Sequence, residues 1–239
     1  MSYDVAVVMP VYNEQDCIDF VVRSWLDVLS GTGASFLLIV LNDGSRDGTE
    51  KVLAGFRDHP RCRIVNKPNS GHGPTILAGY AIAVQEAEWV FQCDSDDEVE
   101  ARHFVDLWEA RKDYDALFGT RCDRHQGAGR ALISAVSRAT VRLAFGRGVT
   151  DVNTPFRLMR SALLAPIISQ IPAGTFAPNV LISGALAGGG ARICNLPVPH
   201  RGRRTGTASI VKWKLVKSAS RAFLQTLCCR PRLPARTDD

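Results

Sequence analysis

The sequence predicts an α/β fold with a mostly parallel sheet flanked by helices, and three observations predict it. Short apolar runs alternate along the chain with stretches of helical period. The runs are continuous rather than alternating, as strands buried on both faces require. Each early run ends in a polar loop, and open parallel sheets bind ligands at the carboxyl ends of their strands.

In order, Val5 to Val8 is an apolar run ending at Pro10, a short buried strand. Asn13 is placed to cap the next helix, with Glu14 and Asp16 near the positive end of its dipole. Ile18, Val21, Val22, Trp25, Leu26 and Leu29 recur at helical spacing, and Gly31 and Gly33 end that helix. Phe36 to Leu41 is a second buried strand, followed by the polar segment Asn42 to Thr49 and a helix. A strand at Arg63 to Val65, glycines at 71 and 73, a helix from Thr75 to Glu86 and a strand from Trp89 to Cys93 complete the first half. His103 to Lys112 reads as a helix and Ala116 to Thr120 as a strand. Gly129 to Leu143 has helical spacing, and Val149 to Met159 is a loop leading into a strand. Phe176 to Ala187 reads as a helix, Ala191 to Val198 as a strand and Ser209 to Cys229 as a last helix.

The 239 residues suffice for one large domain, and 46% hydrophobic with 22% charged residues excludes a disordered chain. The net charge of +5 is concentrated at the end: from His200 onward ten Lys and Arg face only Asp238 and Asp239. Such an end suits phosphates or an anionic membrane surface. It carries no nucleic-acid recognition motif, so no nucleic-acid partner is expected. The seven cysteines are scattered without a CxxC pair, as in a reducing, cytosolic protein. The N-terminus carries no basic n-region and long apolar core, so no secretory signal is expected. No window approaches the roughly 18 apolar residues that span a bilayer.

The sharpest chemical signal is Cys93-Asp-Ser-Asp-Asp-Glu98, four carboxylates directly after a buried strand. Asp94 and Asp96 stand two apart, so an extended backbone points both the same way. Alone they repel; Mg²⁺ or Mn²⁺ among them removes that cost. A solvated acidic turn opening a helix is the plainer alternative. Asp43, after the second strand, can accept hydrogen bonds from a base or sugar edge, while Ser45 or Asp47 can cap the helix that follows. The histidines, His72 among them, show no metal spacing and read as surface or packing residues.

Pro10-Val-Tyr-Asn-Glu14, Asn42-Asp-Gly-Ser-Arg-Asp-Gly-Thr49, Gly71-His-Gly-Pro-Thr75 and Asp94-Ser-Asp96 together resemble the family-2 glycosyltransferases of the GT-A fold, a Rossmann-like α/β architecture. Gly119-Thr-Arg121, Arg130 to Ser134, Asp151 to Arg157 and Arg203 to Ser209 resemble one branch, the polyprenyl-phosphate sugar transferases such as dolichol-phosphate mannose synthase. The resemblance implies an inverting, metal-dependent transferase that moves a sugar from GDP-mannose or a UDP-hexose to a dolichyl or undecaprenyl phosphate. It implies that Pro10, Val11, Tyr12, Glu14, Asp43, Asp94, Ser95, Asp96 and Arg203 hold the donor. It makes Asp94 and Asp96 metal ligands, with Glu98 where a third, usually Gln, is found. Arg121, Arg130 and Ser134 would hold the acceptor phosphate. Asp94, Asp96, Arg121 and Arg203 would carry catalysis. Asn42 departs from the pattern, which often has Asp there, and Ala208 stands where Ser is common.

The resemblance divides the chain into a catalytic domain, residues 1–208, and a C-terminal amphipathic basic helix and tail, 209–239. That end can lie on lipid headgroups or pack on its own domain. The expected location is the cytoplasmic face of a membrane, with a membrane partner subunit as a further expectation. Cys228 and Cys229 are acylation candidates or plain thiols. Two other readings stay open: a sugar hydroxyl acceptor, with Glu98 or Asp97 as base, and a non-catalytic nucleotide-binding or membrane-docking module.

Overall fold

A computed structural model of the chain describes residues 1–122, 154–199 and 229–233. Its framework is a seven-stranded sheet of β1 (Tyr3–Val11), β2 (Phe36–Asp43), β3 (Cys62–Lys67), β4 (Ala87–Gln92), β5 (Ala116–Cys122), β6 (Arg157–Arg160) and β7 (Ile193–Pro199). The spatial order is β3-β2-β1-β4-β6-β5-β7. β6 is antiparallel to both of its neighbours, and the other six strands run one way. The mostly parallel sheet is as expected; the reversed β6 adds to it.

The continuous apolar runs are explained by burial on both faces. All eight residues of β2 are buried. Val5, Val7 and Met9 of β1 pack into one core with α1 (Ile18–Gly31) and α4 (Phe104–Ala110). Ala6 and Val8 pack into the other with α3 (His72–Glu86), α5 (Ser161–Ile168) and α6 (Pro178–Gly188). The short α2 (Thr49–Ala54) contributes Leu53 to the first core. On that side Phe91 sits edge-on to Phe104 and Phe156, with ring centroids 4.9 and 4.8 Å apart, an arrangement that adds to area burial.

Some expectations need correction. Asn13 does not cap α1: the helix begins at Ile18 behind Cys17, without a side-chain cap. Asn13 instead takes a left-handed φ of 55°, which Asn tolerates better than most residues. The predicted helix from His103 to Lys112 is α4 flanked by single 3₁₀ turns at Ala101–His103 and Arg111–Asp113. The helix α5 was not expected. The predicted helix over 129–143, and all of the last helix before Cys229, lie outside the described residues. Residues 229–233 pack on the main body. Gln170 accepts from the Arg232 N–H at 3.1 Å and donates to its carbonyl at 2.8 Å, and Leu233 joins the α3 side core.

Candidate active site

The parallel strands deliver their polar loops to one edge. Two of these loops are laced together. The Asn13 and Glu14 N–H groups donate to Ser45 Oγ at 3.0 Å and Thr49 Oγ1 at 2.9 Å. In return the Arg46 N–H donates to Asn13 Oδ1 at 2.8 Å and the Gly48 N–H to Gln15 Oε1 at 2.6 Å. Asp47 Oδ1 accepts from the Thr49 N–H at 3.0 Å, but the N-cap of α2 is Gly48, so neither Ser45 nor Asp47 is the cap expected. Pro10 and Val11 are buried at the end of β1, where Pro10 lies past the last β1–β4 pair and leaves no ladder bond unmade on that side. Tyr12 is exposed at the edge.

Asp43 is 4% exposed, and its carboxylate is held from within the protein. Lys67 Nζ and the Ser70 N–H donate to Oδ1, and the Gly71 N–H donates to Oδ2 at 2.9 Å. Burial alone would raise its pKa; the bonds from Lys67, Ser70 and Thr75 outweigh burial and hold it below the ordinary 3.8. Gly44 takes φ +64°, and a Cβ there would lie 2.7 Å from the Asn69 backbone nitrogen. Only glycine lets the two loops approach this closely. Asn42 uses its amide where a carboxylate could not: Nδ2 donates to Asn66 Oδ1 at 3.0 Å, while Oδ1 accepts from the Ser45 N–H.

The acidic loop leaves β4 beside these. Asp94, Asp96 and Glu98 line one recess with Cys93, Val99, Pro155 and Phe156. Asp97 has φ 55° and turns the loop, so it is not among the lining residues. Asp96 Oδ1 accepts from the Glu98 N–H at 3.2 Å. Among the described residues Asp94 Oδ1 is buried without a hydrogen-bond partner, an arrangement that suits a cation. Cys17 Sγ lies 3.4 Å from Glu14 Oε2 and 3.7 Å from the Ser95 carbonyl, linking the first loop to this one. The Cys93 thiol is fully buried, and burial, with Asp94 and Asp96 adding to it, pushes its pKa far up. It stays a neutral thiol. Among the described residues no three His, Cys, Asp or Glu side chains are arranged to hold an ion by themselves.

Two features were not found by sequence reasoning. His72, read there as an ordinary residue, places Nε2 3.8 Å from Asp94 Oδ1. Its place at the start of a helix, inside one of the matched motifs, was the available signal. Behind the loop lies a buried polar cluster: Gln92 Oε1 accepts from Tyr80 OH at 2.7 Å and from Asn179 Nδ2 at 2.8 Å. Next to it the fully buried Arg157 guanidinium donates to the Thr154 and Asn179 carbonyls at 2.8 and 3.2 Å. Arg130, Ser134 and Arg203 lie outside the described residues, as does the side chain of Arg121. The Arg121 backbone pairs with Val198 at the end of β5.

Strand-end loops thus form a crevice, with carboxylates following the central β4. Residues 6–164 match the model described as glycosyl transferase family 2, and the chain belongs to that family. It is 26% identical over 216 residues to the undecaprenyl-phosphate 4-deoxy-4-formamido-L-arabinose transferase of Edwardsiella ictaluri, covering 89% of this chain and 64% of that one. It is 30% identical over 183 residues to an uncharacterised glycosyltransferase of Synechocystis, covering 73% and 55%. The chain thus spans about two thirds or less of these two relatives. Among solved structures, glucosyl-3-phosphoglycerate synthase from Mycobacterium tuberculosis with phosphoglyceric acid shares the fold at a TM-score of 0.68 and 19% identity, over 97% of this chain and 81% of that one. The same enzyme with Mn²⁺ and UDP-glucose gives a TM-score of 0.67 at 18% identity, over 97% and 80%.

Proposed function

We propose that this glycosyltransferase moves a sugar from a nucleotide diphosphate donor, GDP-mannose or a UDP-hexose, to a polyprenyl phosphate, with inversion and with Mg²⁺ or Mn²⁺. The observation that carries the reading is the recess of Asp94, Asp96 and Glu98, with a buried Asp94 oxygen left without a hydrogen bond. These residues fit a divalent ion held jointly with donor phosphates. When bound, the ion neutralises charge on the leaving diphosphate.

The chain's own groups do the rest. Asp94 and Asp96 fix where the diphosphate sits. Pro10, Val11, Tyr12, Glu14, Asp43 and Ser95 form the wall for the nucleotide, and the rigidity that Lys67 gives Asp43 keeps that wall in place. Arg121, Arg130 and Ser134 bind the acceptor phosphate, and Arg203 stabilises the departing diphosphate. An acceptor phosphate oxygen attacks the anomeric carbon. The bond from that carbon to the donor phosphate oxygen breaks, and its electron pair leaves with the nucleoside diphosphate. The nucleophile is already an anion, so no base is needed. The relatives named as undecaprenyl-phosphate transferases favour this acceptor over a hydroxyl. A lipid acceptor and the basic end favour peripheral contact with the cytoplasmic face of a membrane, alone or with a membrane partner subunit.

The test is nucleoside diphosphate release from a panel of UDP- and GDP-sugars, with Mg²⁺ or Mn²⁺, with and without undecaprenyl phosphate. Release is expected only with both metal and lipid phosphate, and Asp96→Ala is expected to lower it at least about a hundredfold. Release that ignores the lipid phosphate, or Asp96→Ala at wild-type rate, would overturn the reading.

A further inference from the structure

The pair of His72 and Asp94 has no part in the reading so far. His72 opens α3, and its side chain is 58% exposed. A histidine at a helix start is ordinarily just solvated. Here its Nε2 faces Asp94 Oδ1, the buried oxygen without a hydrogen bond, at 3.8 Å. That separation is too long for a hydrogen bond. It is within the span of two ligands of one ion: with bonds of about 2.1 Å, adjacent octahedral ligands lie about 3.0 Å apart, a distance that a small rotation of the exposed His72 side chain would reach.

The backbone on either side is fixed. Gly71 takes φ +93°, which turns the chain into the helix. Gly73 has no room for a Cβ, which would come within 2.3 Å of the Thr175 and Phe176 carbonyl oxygens. The imidazole is therefore presented to the acidic loop from a rigid start, with freedom only in its side-chain torsions.

We propose that His72 is a nitrogen ligand to the divalent ion held by Asp94, and that it sets this enzyme's preference for Mn²⁺ over Mg²⁺. Imidazole suits Mn²⁺ and later transition ions, whereas Mg²⁺ prefers carboxylate, phosphate and water oxygens. The inference rests on the acidic loop being the metal site.

Pulsed EPR on the full chain with Mn²⁺ and either UDP or GDP reads the ligand directly. Nitrogen modulation from one imidazole is expected in the wild type and is expected to vanish in His72→Gln, with Mn²⁺ still bound. The Mn²⁺-over-Mg²⁺ binding ratio should fall about tenfold in that variant. A thermal melt verifies that the variant is folded. Modulation that persists in His72→Gln overturns the inference. So does bound Mn²⁺ that is released by Asp94→Asn yet shows no nitrogen modulation in the wild type, although the metal site then stands. If neither nucleotide brings Mn²⁺ onto the protein, the inference and the metal reading fall together.

Discussion

Asp43 and Asp94 are both strand-end carboxylates, yet the structure treats them oppositely. Asp94 keeps a buried oxygen that no described residue hydrogen-bonds. Asp43 is saturated by Lys67 and the 70–71 backbone, so its charge stabilises the fold as well as shaping the crevice. Its folded pKa lies below the ordinary 3.8. The stabilisation is therefore complete above that value and is lost as pH falls through the folded pKa. Asp43→Asn should cost about 3 kcal/mol at pH 7, because it leaves the Lys67 charge without its partner. That gap from wild type should persist to about pH 5 and narrow below about pH 4. Urea unfolding at pH 7, 5 and 3.5 measures it. A gap that is constant down to pH 3.5 would mean that the Asp43 charge is not what holds the loop.

Elements differ in how far local sequence determines them. β1, β2 and β4 were legible because strands buried on both faces need uninterrupted apolar runs, and these residues supply them. The acidic loop was legible because four carboxylates follow a buried apolar run directly. β6 was harder: four residues carry no period, and its reversed direction depends on pairing with Gln92 and Phe118, far away in sequence. α5 was hidden by Pro166 within its eight residues and by an apolar content too uniform to show a face. The roles of His72 and Gln92 depend on which helices meet β4, which no single-chain pattern states. The close approach of α3 to the 175–176 backbone is such a non-local fact, and it yields a test. Gly73→Ala should destabilise by about 3 kcal/mol, since the obstructing atoms are backbone carbonyls and cannot swing aside. Gly31→Ala, where nothing lies within 4 Å, should be neutral or stabilising by up to about 1 kcal/mol. Chemical denaturation of the two variants decides it, and equal costs would refute the steric argument.

At the scale of the whole molecule, charge and connectivity act together. The main body is roughly balanced, while ten of the basic residues follow His200. Residues 229–233, beyond most of these basic residues, pack on the main body through Gln170 and through Leu233 against Gly189. Among the described residues no helix is long and apolar enough to cross a membrane. The proposed lipid acceptor calls for contact from the side, and that contact should be electrostatic at first. Vesicles with a third phosphatidylglycerol should bind the full chain, and neutral vesicles should not. Binding should weaken steeply as salt shortens the reach of surface charge to about 8 Å near 0.15 M. Each Lys or Arg near an anionic surface contributes about 1 kcal/mol, so Lys212→Glu, Lys214→Glu, Lys217→Glu and Arg221→Glu combined should weaken binding at least a hundredfold by that estimate. Turnover with a short, water-soluble prenyl phosphate should survive those four changes, because none of them is assigned to donor or acceptor binding. Equal binding to neutral vesicles, or loss of turnover on the soluble acceptor, would place the segment's role in the fold or in the reaction instead of at the membrane.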